Sequence, residues 1–158
     1  MILFLVFVLS AIALDMVTKY IAITIFKISE LEIIKNILYF TYVENRGAAF
    51  GILQNQKIFF VIMTVAVIGI IIAYILRKKP KNKLLLISLG CICGGGIGNL
   101  IDRIRFSYVV DFIDLRIINY PVFNIADCFV VVGAVLLSIY ILFLSDKEEK
   151  SERDKING

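Results

Sequence analysis

The sequence predicts a membrane all-α fold with four transmembrane helices, both termini cytoplasmic, and a small extracytoplasmic β segment between helices 1 and 2. Three observations carry this. Hydrophobic residues make up 60% of the 158-residue chain, against roughly 45–50% in soluble domains. The excess is gathered into four apolar runs, about 2–26, 57–76, 84–101 and 122–144, each near the ~20 residues a helix needs to cross a bilayer. Finally, the basic residues cluster in the short segment holding Arg77, Lys78, Lys79, Lys81 and Lys83, which places that loop in the cytoplasm.

The elements follow in order. The first run has no Lys or Arg before it and continues past Asp15 and Lys19 to Phe26, so a retained span is expected rather than a cleaved secretory signal. Asp15 and Lys19 stand four apart on one helix face and can neutralise each other. The outer segment 27–56 carries IIKNILYFTYVENRGAAFG, whose β-branched and aromatic residues suggest strands leading to a turn at Asn45, Arg46 and Gly47. In the third span Gly90, Gly94 and Gly98 recur every four residues, the spacing that lets membrane helices approach closely. The cluster fits neither a dinucleotide fingerprint nor a phosphate-binding loop. Residues 1–145 are expected to form one domain, and the charged segment 146–158 a solvated cytoplasmic tail.

The net charge of +4 is distributed as in a membrane protein, and nucleic acid is not an expected partner. Cys91, Cys93 and Cys128 match neither a zinc site nor a redox pair and read as buried thiols.

The costly residues of the chain share one depth. With the basic loop inside, the Gly-rich third span places Asn99, Asp102 and Arg103 at the outer face. Asp127 then lies about 7 Å below the outer start of the fourth span, and Asp15 about 20 Å along the first. A carboxylate within a span costs roughly 2.5–3.5 kcal/mol even on lenient scales and is a functional suspect. Asn124 followed three residues later by Asp127 suits an N-cap with an acidic third position, a structural reading compatible with a catalytic role for Asp127. Asp111, in the outer loop 102–121, is framed by Val109, Val110, Phe112 and Ile113, which would raise its pKa. The chain has no histidine, so paired carboxylates are its natural acid–base groups.

With DMVTK at Asp15, YVENRGAAFG at Asn45, GGGIGNLIDR ending at Arg103, VVDFID at Asp111 and FNIADC at Asp127, the chain resembles the lipoprotein signal peptidase (signal peptidase II) family of bacterial inner-membrane aspartic peptidases. The resemblance covers nearly all of residues 10–130; Tyr120 before Pro121 departs from it, since tryptophan is more usual there. It implies that Asp111 and Asp127 are the catalytic dyad and that Asp15, Asn45, Asn99, Arg103 and Asn124 bind substrate or support the dyad. It further implies a diacylglyceryl-modified prolipoprotein substrate, cut before its lipidated cysteine at the extracytoplasmic face of the inner membrane. No metal or organic cofactor is expected; membrane lipid is the surrounding partner and the monomer the expected state. Two rival classes are a metal-dependent phosphatidyltransferase, whose multi-aspartate helix motif is missing, and a small proton-coupled transporter using Asp15, Lys19 and Asp127 as a relay.

Overall fold

The computed structural model describes residues 1–47, 52–118 and 120–145. The expected cytoplasmic tail 146–158 and part of the YVENRGAAFG block lie outside the described residues. Four long helices, α1 (Ile2–Ile21), α2 (Lys57–Lys78), α3 (Lys83–Phe106) and α4 (Ile125–Phe143), are each long and apolar enough to span a membrane. Helix α1 continues into a π-helical turn, Ala22–Phe26.

Helix α3 is central and contacts the other three helices. Its glycines explain how. A Cβ on Gly94 would lie 2.6 Å from Ala11 Cβ, and one on Gly90 would lie 2.9 Å from the Phe4 carbonyl oxygen. The expected packing stripe therefore docks α1 onto α3, while Gly95 and Gly133 bring α3 and α4 equally close. The outward faces of α1, α2 and α4 carry exposed Leu9, Ile62, Ile70 and Leu142, which is the surface expected against lipid rather than water.

The β segment is larger than the sequence indicated. Strands β1 (Leu31–Ile34), β2 (Leu38–Asn45) and β3 (Val109–Leu115) form an antiparallel sheet in the order β1-β2-β3. The third strand comes from the segment between α3 and α4, so the sheet is not confined to the connection between helices 1 and 2, and Asp111 belongs to a strand rather than a loop. VVDFIDL was readable as an apolar frame, but its paired residues lie 64 to 77 positions earlier in the chain and only the register reveals them.

Two helix boundaries also move. Helix α3 runs to Phe106 instead of stopping near residue 101 because its terminal charges are satisfied within the fold. Asp102 pairs with Lys19, and the Arg103 guanidinium lies over the Phe60 ring at 4.8 Å. Helix α4 starts at Ile125 rather than 122, since Asn124 is its N-cap.

Candidate active site

Period-two alternation in β3 sends Val110 and Phe112 to one face and Asp111 to the other. Val110 and Phe112 pack with Ala22 and Phe26 of the π-helical turn, and the Phe26 and Phe112 rings lie 6.3 Å apart. That packing locks the strand while its opposite face presents Asp111 to a cavity of about 320 Å³. In the β2–β3 register Val43 pairs with Asp111 and Asn45 with Val109. Asn45 is therefore the diagonal neighbour of Asp111 on the same face, and its Nδ2 donates to Asp111 Oδ2 at 2.8 Å.

Asp127 enters the same cavity from the first turn of α4. A full capping box holds that turn: Asp127 N donates to Asn124 Oδ1 at 2.9 Å, and Asn124 N donates to Asp127 Oδ2 at 3.1 Å. The Asn124 amide also donates to Asp111 Oδ1 at 2.6 Å. One side chain thus ties both aspartates together.

Asn99 completes the frame. Its Nδ2 donates to Asp127 Oδ1 at 2.7 Å, while its Oδ1 accepts from Lys19 Nζ at 2.9 Å and Asn124 Nδ2 at 3.0 Å. An ammonium can only donate, so Lys19 fixes which end of the Asn99 amide faces Asp127. The Gly47 amide, donating to Asn45 Oδ1 at 2.9 Å, fixes Asn45 in the same way. All four oxygens of the two carboxylates consequently accept from amide donors of set orientation.

Asp111 is 1% exposed. Burial pushes its carboxyl up to about 7, and the nearby Asp127 charge adds to the shift, against the opposing amide donors of Asn45 and Asn124.

The structure thus brings Asn45, Asn99, Arg103, Asp111 and Asp127 to one cavity. Asn124 is fully buried behind it and reaches it through hydrogen bonds; Asp15, also fully buried, does not line it. Arg103 points its guanidinium toward the Gly47 carbonyl oxygen at 3.4 Å. Sequence reasoning missed Phe60, which both lines the cavity and backs Arg103, and the link from Lys19 to Asn99. The only available signal for that link was an unusual buried lysine.

The family described as signal peptidase (SPase) II matches residues 7–143. The chain belongs to the signal peptidase II family. Membership makes it a peptidase of the aspartic type and ties it to lipoprotein processing. It is 51% identical over 132 residues to a lipoprotein signal peptidase of Caldanaerobacter subterraneus, covering 82% of this chain and 89% of that one. It is 48% identical over 135 residues to the lipoprotein signal peptidase of Halothermothrix orenii, covering 85% and 91%. A solved bacterial membrane enzyme, 34% identical, superposes with a TM-score of 0.81 over 93% of this chain and 90% of its own. The fold of that membrane enzyme is therefore shared along nearly the whole chain.

Within this signal peptidase II frame, Asn124→Ala is expected to lower stability by about 1 kcal/mol through loss of the α4 cap, and to impair cleavage as well. Asn124→Ser can still accept the Asp127 N–H but has no amide for Asp111. It should recover the part of the melting temperature that the cap supplies and leave kcat depressed; recovery of kcat to the wild-type value would show that the link to Asp111 has no catalytic value.

Proposed function

We propose that this signal peptidase II removes signal peptides from diacylglyceryl-modified prolipoproteins by hydrolysis before the lipidated cysteine, with Asp111 and Asp127 as the catalytic dyad. The observation carrying this reading is that two carboxylates from separate elements open into one cavity and are held there by three asparagines. The ionised Asp127 takes a proton from a water whose oxygen attacks the scissile carbonyl carbon. Protonated Asp111 hydrogen-bonds the developing oxyanion and then gives its proton to the cysteine nitrogen as the carbonyl re-forms and the C–N bond breaks. The proton taken from water stays on Asp127, so the dyad again holds one proton. No acyl-enzyme forms. The elevated Asp111 pKa supports its role as the acid.

Arg103 and Asn45 orient the substrate main chain or the lipid ester oxygens from the cavity wall. Asp15 supports the dyad from behind. The basic α2–α3 connection lies at the end of the bundle away from the sheet, which supports cytoplasmic termini and an extracytoplasmic site. Acyl chains remaining in lipid would hold the scissile bond at that depth.

Purified protein is expected to cleave a diacylglyceryl-modified precursor and leave the unmodified precursor intact, in the presence of chelator. Equal cleavage of both precursors would remove the lipid requirement.

The raised Asp111 pKa also sets a pH dependence. Activity requires protonated Asp111, so kcat/KM should fall on the alkaline side with an inflection near 7. For folding the sign is the same. A carboxyl whose pKa is higher folded than unfolded contributes stability fully present below its ordinary value of 3.8 and lost as pH rises through about 7. Wild type should therefore lose stability relative to Asp111→Asn between those limits. A flat difference in melting temperature across that window would contradict the assignment.

A further inference from the structure

Behind the cavity lies a charged group that the hydrolytic chemistry leaves unused. Lys19 Nζ lies 2.8 Å from Asp15 Oδ2 and 3.0 Å from Asp102 Oδ2, and all three side chains are nearly or fully buried. A buried ion pair is weak evidence for stability, because well-packed apolar residues often serve as well or better. The second contacts of the two carboxylates suggest another use. Asp102 Oδ2 accepts the Val110 N–H at 3.0 Å, and Asp15 Oδ1 accepts the Ala126 N–H at 3.0 Å. Val110 immediately precedes Asp111, and Ala126 immediately precedes Asp127.

We propose that Asp15, Lys19 and Asp102 form one clamp that sets the separation of the two catalytic aspartates by gripping the backbone amide just before each. The proposal rests on the dyad reading above. Lys19 is its centre: a single ammonium joins the carboxylate holding β3 to the carboxylate holding α4, and its third contact orients Asn99 toward Asp127. The clamp bears one positive and two negative charges. The net negative charge is offset by the two gripped N–H groups, one of them in the positive first turn of α4. Space around it is closed, since a Cβ on Gly98 would stand 2.5 Å from Asp15 Oδ2. A change in carboxylate length must therefore move the backbone it holds. These three are positioning residues and touch no substrate.

Length and charge separate this role from simple ion pairing. Asp102→Glu keeps the charge but pushes β3 outward by about one carbon. Asp102→Asn loses the charge but keeps an oxygen at the right distance for Val110 N–H. If the clamp sets geometry, Asp102→Glu should lose roughly 100-fold in kcat, as a misplacement of about 1 Å does. Its KM for lipidated precursor should stay near wild type, and Asp102→Asn should lose much less. Asp15→Glu should lose activity in the same way; Asp15→Asn should lose it too, because Asp15 takes the Ala126 N–H on Oδ1 and Lys19 on Oδ2 and an amide has one oxygen for both. Because both grips run through one ammonium, Asp15→Glu with Asp102→Glu together should lose less than the product of the single losses.

The measurements are steady-state cleavage of lipidated precursor, binding of that precursor, and thermal unfolding, with Asp111→Asn as a parallel control. The reverse order at position 102, Glu more active than Asn, would make the group an ordinary ion pair and overturn the proposal. So would multiplicative losses in the double variant. Variants that fail to fold at all would assign the charges to folding and overturn it as well. If Asp111→Asn itself turned over normally, the dyad reading would fail instead, so the two failures are distinguishable.

Discussion

Asp111→Asn and Asp127→Asn are each expected to lower kcat for lipidated precursor by roughly 10²–10⁴-fold, the range contributed by a positioned acid or base, while leaving the fold intact. The geometry explains why the fold should survive. Asp111 accepts from the amides of Asn45 and Asn124, and Asp127 accepts from Asn99 and the Asn124 backbone. An Asn at either position keeps one oxygen to accept, and its new NH₂ faces a neighbouring donor at only one contact. That mismatch costs about 1–3 kcal/mol at most. At position 111 it is opposed by removal of a buried carboxylate that burial already disfavours. Asp111→Asn should therefore melt near or above wild type at pH 7 while losing activity. Precursor binding should persist in both variants, since the lipid anchors and Arg103 are untouched. Turnover within a few-fold of wild type for either variant would remove it from the chemistry.

How far the sequence revealed this site depended on the range of the interactions. Costly polar residues in apolar spans pointed to Asp15, Asn99 and Asp127 because the membrane penalty is a property of each residue alone, and the apolar frame of VVDFID pointed to Asp111. The Asn124 cap was legible because it acts over three residues. The glycine spacing was legible because it acts along one helix face. What could not be read were the partners. Ala126 N–H meets Asp15 across 111 residues, and Lys19 meets Asn99 across 80. The end of α3 was misplaced for the same reason, since Asp102 and Arg103 look like water-facing charges until Lys19 and Phe60 are seen beside them. β3 was hidden because a short apolar run bounded by charges carries no sign of its pairing. Its role is clear only from the register with β2, which puts Asn45 diagonal to Asp111.

Gly95→Ala should be the most damaging single methyl addition near the site. A Cβ there would stand 2.4 Å from the Ala126 carbonyl oxygen and 2.9 Å from Val130 Cγ2. The carbonyl is backbone within the first turn of α4, so it cannot rotate away as a side chain would. Relief requires α4 to separate from α3, and Asp127 is carried on that turn while Asn99 is carried on α3, one helical turn from Gly95. The 2.7 Å contact between Asn99 and Asp127 should open, and Ala126 should pull from Asp15. Overpacking of this kind costs about 1–3 kcal/mol, and the catalytic loss should be larger, about 100-fold for a displacement near 1 Å. Gly96→Ala is the matched control. The nearest atom to its Cβ would be Thr64 Cγ2 at 3.6 Å, an ordinary contact, so its stability should equal that of wild type or exceed it by up to about 1 kcal/mol of helix propensity. Melting temperature and kcat measured on the two variants separate the effects. If Gly95→Ala cleaved lipidated precursor as fast as Gly96→Ala, close approach of α3 and α4 would not be what places Asp127.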